Sequence, residues 1–156
     1  RIIALNAFLL RFFSSVPFTK QKKGIAMRNE RQVVIDALRE IVGSARHDEN
    51  RIAHYFAPDY QQVVDSQSLD YHGFVQHMKL LKSLTTMMTV SMLACASEGN
   101  TVFTHHNVNV EKRDGERSAI EVMARFTLSA SRILRCDELT RLISGSTDDR
   151  NLGSRR

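Results

Sequence analysis

A chain of 156 residues, 42% hydrophobic and 25% charged, has the size and composition of one globular domain with a real core. Its net charge of +5 does not describe that domain: Arg1, Arg11, Lys20, Lys22 and Lys23 stand in an acid-free stretch before Met27, and the other 17 basic residues balance the 17 acids. A body of zero net charge offers no basic groove for phosphates, so nucleic acid is not an expected partner.

The opening "RIIALNAFLLRFFSSVPFTKQKKG" has a base, an apolar run and small residues, in the manner of a secretory signal. Arg11 breaks the run, no small-x-small cleavage site follows, and the run is too short to span a bilayer. Met27 then opens "MRNERQVVIDALREIV", which reads as the start of a cytoplasmic protein. Residues 1–26 are therefore expected to be an upstream extension without a fixed fold, with a degenerate signal or membrane-surface helix as the alternative. No membrane partner is expected.

From Arg28, Val34, Ala37, Leu38, Ile41 and Ala45 recur at helical spacing. A second helix follows, with Asp48 as its N-cap, Ile52, Tyr55 and Phe56 inward, and Pro58 as its stop. "YQQVVDS" predicts a short strand. A third helix starts near Tyr71 behind a capping Asp70, with Phe74, Met78 and Leu81 inward. After Leu84 come four runs of strand length, "TTMMTVSMLACASE", "TVFTHHNVNVEK", "RSAIEVMARFTLS" and "RILRCDELTRLIS", separated by "EGN", "RDGE" and "SAS". Asp114-Gly115 is a tight-hairpin signal. Helices first and an antiparallel meander second predict an α+β domain over residues 27–145, its helices on one face of a curved sheet. The tail, 146–156, is polar and expected to be loose. Cys95 and Cys136 lie in apolar alternating runs and are expected to be structural thiols rather than a disulfide or a metal site.

This order resembles the nuclear transport factor 2-like superfamily, in its SnoaL-like and ketosteroid isomerase-like branch. "YFAPDYQQVVD" is similar to that group's second helix running into its first strand, "LDYHGFVQHMKLL" to the short helix after it, and "IEVMARFTLSASRILRCDEL" to its closing hairpin. The resemblance implies a cone-shaped domain whose strongly curved antiparallel sheet wraps on N-terminal helices, with a pocket between them, often in a homodimer. No cofactor and no metal are expected: His105 and His106 are adjacent and point to opposite faces of a strand, and His72 and His77 are five apart on a helix, a poor spacing for a shared ligand site. Neither a CxxC pair nor a phosphate-cradling glycine loop is present. The essential Asp of those enzymes falls on Ala124 here, or on Met123 with a one-residue slip, so their activity does not transfer directly. Asp65 lies within one residue of where the isomerase base would fall.

Alternation sorts the strand faces. Val102, Thr104, His106, Val108 and Val110 share one face of their strand; Ile120, Val122, Ala124, Phe126 and Leu128 share another; Leu134, Cys136, Glu138, Thr140 and Leu142 share a third. These apolar sets are expected to face the core. His106 and Glu138 stand among them, and an acid there must be paired or face a wet cavity. A carboxylate in an apolar pocket has its pKa raised, and a neutral His beside it can hold or move a proton. Asp65, His106 and Glu138 are thus the candidate catalytic residues, with Asp65 or Glu138 as base and His106 or Tyr60 as donor to a developing enolate. Tyr60, Phe74, Val102, Ala124 and Phe126 are the expected ligand-binding walls. The competing readings are a core histidine, a Glu138 that caps backbone or pairs with an Arg, and an Asp65 that only makes a turn. His105 and Glu121 fall on the outer, polar face. Two functions stay open: a cofactor-independent proton-transfer enzyme of isomerase or cyclase type on a small, mostly apolar carbonyl compound, and a non-catalytic ligand-binding or dimeric assembly module.

Overall fold

The computed structural model describes residues 29–152, so the expectation for residues 1–26 lies outside it. Asn29 accepts from Arg31 N and caps helix α1, Glu30–Ala37, which widens into a π-helical turn, Leu38–Val42. The open carbonyl of Val42 is satisfied by Lys82 Nζ at 2.5 Å. Asp48 accepts from Arg51 N and caps α2, Glu49–Tyr55. Pro58 does not stop this helix, as the sequence suggests; α2 ends at Tyr55 and Pro58 lies inside β1, Phe56–Val64. The β1 ladder is interrupted between Phe56 and Gln61, and a proline's missing N–H costs little at such an irregularity. The turn Asp65–Ser66, with φ of 47° and 73°, leads into β2, Gln67–Asp70, a strand too short to show in the sequence. Asp70 accepts from Gly73 N at 2.8 Å and caps α3, Tyr71–Leu84, as expected.

The four predicted runs are β3, Thr85–Glu98; β4, Thr101–Lys112; β5, Arg117–Ser129; and β6, Arg132–Ser144. Together with β1 and β2 they form one six-stranded sheet in the order β2-β1-β6-β5-β4-β3. β1 runs parallel to β6, so the sheet is mixed rather than wholly antiparallel; α3 carries the chain from the β2 edge to the opposite edge at β3. The architecture is α+β, with three helices on a curved, unclosed sheet. Val33, Val34, Ile52, Tyr55, Phe74 and Met78 from the helices pack on the inner sheet face.

Parity holds on β4 and β5, where burial alternates as predicted. On β6 it is corrected at one end. The pairs Thr127–Arg135 and Leu128–Ile133 leave Leu134 over, and this irregularity flips the face. Ile133, wholly buried, therefore joins Cys136 on the inside in place of Leu134. The tail expected to be loose from Ser146 is instead held through Leu152. Thr147–Asn151 form a 3-10 turn capped by Ser146, and Asp149 and Leu152 are buried. No helix among the described residues is long and apolar enough to cross a membrane.

Candidate functional site

Between the helices and the inner sheet face lies a cavity of about 100 Å³. Three aromatic rings meet beside it: Phe56 and Tyr60 of β1 and Phe74 of α3, with centroids 4.7 to 5.1 Å apart. Met78, Val108, Val122 and Phe126 extend the apolar wall. Polar groups enter from β1 (Tyr60, Gln62), α3 (His77), β4 (His106) and β6 (Cys136, Glu138, Thr140).

Of the residues predicted from sequence, Tyr60, Phe74, His106, Phe126 and Glu138 border this one hollow. Val102 does not; it is wholly buried in the core beneath it. Nor does Ala124, which is buried in register between Thr104 and Glu138 and has only a methyl to extend. Asp65 is exposed in the turn after β1, where its carboxylate accepts from Thr140 N at 2.8 Å and from the Thr140 hydroxyl. The structure thus brings His106 and Glu138 to the same cavity and leaves Asp65 outside it.

Gln62 was missed, although alternation with Tyr60 and Val64 points it inward; a neutral amide attracts no notice when titratable groups are sought. Yet it organises the site. Tyr60 Oη donates to Gln62 Oε1 at 3.1 Å, and Gln62 Nε2 donates to Glu138 Oε1 at 2.7 Å. His77 also enters the cavity, and its place three residues after Phe74 puts it on the inward stripe of α3.

Among the described residues Glu138 has no cation beside it. Arg125 and Arg135 lie across the sheet, both bound to Asp137 on the outer face. Burial pushes the Glu138 carboxyl up to about 7, against the Gln62 hydrogen bond and with help from the charge of Asp65. His106, 2% exposed, is pushed down to about 4 by burial and by neighbouring His105, so it is neutral at physiological pH. Its Nδ1 lies 3.1 Å from Thr104 Oγ1. If that hydroxyl donates, the ring proton sits on Nε2 and is free for a ligand. Burial, then Cys136 and Glu138, hold the Tyr60 phenol well above its usual value, which keeps it a donor. The cavity therefore offers a carboxyl that gains and loses a proton near neutrality and a neutral imidazole, set in hydrocarbon. Among the described residues no three His, Cys, Asp or Glu side chains are grouped to hold a metal ion.

An uncharacterised protein of Schizosaccharomyces pombe is 33% identical over 100 residues, covering 64% of this chain and 77% of that protein. In fold, the chain is similar to IdmH of Streptomyces antibioticus, described as a candidate polyketide cyclase, at 13% identity and a TM-score of 0.62, covering 72% and 92% of the two chains. It is also similar to an LEH-like epoxide hydrolase of M. tuberculosis, at 12% identity and a TM-score of 0.61, covering 72% and 82%. Such low identities show shared architecture alone. The model of the SnoaL-like domain matches residues 36–136. With that match over most of the folded body, the chain belongs to the SnoaL-like domain family of the nuclear transport factor 2-like superfamily.

Proposed function

We propose that this protein takes a small, mostly apolar carbonyl compound into the inner cavity and moves a proton on it. Glu138 is the base and His106 the hydrogen-bond donor to the carbonyl oxygen. The observation that carries this reading is a carboxyl held in an apolar hollow by a neutral amide, with no cation, facing the same space as a buried neutral imidazole. A merely structural Glu138 would be expected to pair with an Arg, and the nearby arginines bind Asp137 instead.

In the proposed step, ionised Glu138 takes a proton from the carbon next to the carbonyl. The C–H electron pair moves into the new C=C bond, and charge builds on the oxygen, which His106 Nε2–H stabilises. The proton returns from Glu138 to a carbon of the enolate, or the enolate carbon attacks a second carbonyl within the same molecule, whose C=O π pair moves to its oxygen and takes the proton from Glu138. The neighbours named for cyclase and epoxide hydrolase chemistry bring two reaction types into view. A proton shift needs one acid–base group and one donor, and the cavity has both. Opening an epoxide also needs a bound water and its own activating group.

Deuterium exchange at the α-carbon of cyclohexanone in D₂O, followed by NMR, tests the proposal. The protein should accelerate exchange with a rate that rises through about pH 7. Glu138→Gln should abolish the effect, and His106→Asn should lower it by about 10². Ketone binding with no exchange in the native protein would leave the non-catalytic reading standing.

We propose as well that a second copy covers the outer sheet face. Phe103, Met123 and Leu139 are 51%, 54% and 70% exposed there, and Met123 pairs in register with both His105 and Leu139. The charges around them are already paired: Glu121 with His105 and Arg141, and Asp137 with Arg125 and Arg135. Covering the face would strand no lone charge.

A further inference from the structure

The last described segment makes contacts that a loose tail has no use for. After β6, Gly145 turns the chain with φ of 127°, and the 3-10 turn Thr147–Asn151 follows. Every residue from Ser146 to Asn151 is polar, yet the segment is clamped by Asp149, which is 1% exposed. Its Oδ2 accepts from Ser118 Oγ at 2.5 Å and from Ser146 N at 3.1 Å, and its Oδ1 lies 2.6 Å from Lys112 Nζ. Burial alone would raise this carboxyl; the bonds from Lys112 and Ser118 hold it low and ionised. The clamp thus ties the C-terminal turn to the turn end of the β4–β5 hairpin. What it delivers is one apolar side chain, Leu152, 5% exposed, which lines the same cavity as Thr140, Ile120 and Val42.

We propose that Leu152 sets the upper size of ligand the cavity accepts, and that the Asp149 clamp holds it in place as a removable plug. This rests on the reading that the inner cavity is the ligand site, and adds the residue that decides which ligands fit. A cavity of about 150 Å³ suffices for benzene, and this one is nearer 100 Å³, so the loss or retention of a single leucine side chain is a large fraction of the space. Among the described residues Leu152 is also the one wall residue carried by the C-terminal turn, so it can leave without unpairing a strand or helix. Gly145 offers a handle on the clamp away from the cavity. A Cβ there would sit 2.6 Å from Ser118 Oγ and 3.0 Å from Asp149 Oδ2, in a backbone conformation that favours glycine.

The test measures benzene and naphthalene binding to the full chain by NMR, for the native protein, Leu152→Ala and Gly145→Ala. With about 100 Å³ against the roughly 150 Å³ that holds benzene, the native protein should bind benzene weakly and naphthalene more weakly still. Leu152→Ala should narrow that ratio by about tenfold or more, the scale of one or two methylenes in an apolar pocket. Gly145→Ala, which substitutes no wall residue but strains the clamp, should narrow it in the same direction and speed amide exchange at Asp149 and Leu152. Ser118→Ala is the milder version should Gly145→Ala fail to fold. A ratio unchanged in folded Leu152→Ala, equal binding of both hydrocarbons by the native protein, or no binding by any form overturns the proposal. Hydrocarbons carry no carbonyl, so the carbonyl reading is judged separately: a native protein with no preference for cyclohexanone over cyclohexane sinks that reading and leaves the plug intact.

Discussion

Glu138 and His106 are shifted in opposite directions by the same burial, and their effects on stability oppose each other. Glu138 has its folded pKa raised from 4.5 to about 7, so the unfolded chain loses this proton first and the native state is weakened as pH rises across that window. His106 has its folded pKa lowered from 6.5 to about 4, so the unfolded chain gains this proton first and the native state is weakened as pH falls across that one. Between about pH 4.5 and 6.5 the two slopes offset. Removing either unmasks the other. Glu138→Gln keeps the Gln62 hydrogen bond and should be close to native stability near pH 4.5, then more stable than native by about 3 kcal/mol above pH 7. His106→Asn should gain relative stability as pH drops from 6.5 to 4. Urea unfolding at several pH values checks both, and a flat difference for Glu138→Gln would mean the carboxyl titrates normally. Asp65 makes the contrasting case. Its carboxylate faces Thr140 outside the cavity, and asparagine tolerates the same positive φ and keeps an acceptor. Asp65→Asn should therefore leave ketone exchange within about twofold of native; a loss as complete as that of Glu138→Gln would move the base to Asp65.

Between residues and fold stand the turns, where the sequence was least readable. The β5–β6 hairpin closes through Ala130 and Ser131, whose φ values of 48° and 63° meet the type I′ requirement without glycine or asparagine. Replacing Ala130-Ser131 by Asn-Gly should stabilise the protein by about 1 kcal/mol, read as a rise in urea midpoint at constant slope. No rise would mean that this turn's strain is relieved in ways its φ values do not reveal. The same feature explains what could be seen in advance. Asp114-Gly115 announced its hairpin, and Gly115 has φ of 88° there. Long alternating runs announced β3 to β6 and pointed His106 and Glu138 inward, because a side-chain period of two persists wherever a strand runs without a bulge. β2 is four residues with one buried side chain, too little pattern to detect. The parallel pairing of β1 with β6 joins segments some seventy residues apart, and no local pattern encodes it. Nor does one encode Leu152, a single apolar residue after a polar turn, whose role exists only because Ser118 and Lys112 lie where Asp149 can reach them.

At the scale of the molecule, the sheet has two faces with different uses. The inner face is closed by helices around the cavity; the outer face of β3 to β6 has no layer over it among the described residues. Four strands about 4.8 Å apart and about 12 residues long span roughly 800 Å², close to one side of a standard protein interface. Its centre, Met123 and Leu139 with Phe103 diagonal to them, is apolar, and the ion pairs lie to either side along the strands. Arg135 and Arg125 hold Asp137 low and His105 and Arg141 hold Glu121 low, so both acids are ionised and neutralised before any partner arrives. An isologous pair of such faces would bring hydrocarbon onto hydrocarbon about a two-fold axis. Sedimentation of the native protein at high micromolar concentration should accordingly give a dimer. Leu139→Glu, which sets an unpaired charge in the apolar centre without touching the inner face, should give a folded monomer with its cavity chemistry retained. A native protein that sediments as a monomer, or a Leu139→Glu variant that remains dimeric, would remove the outer face as the contact.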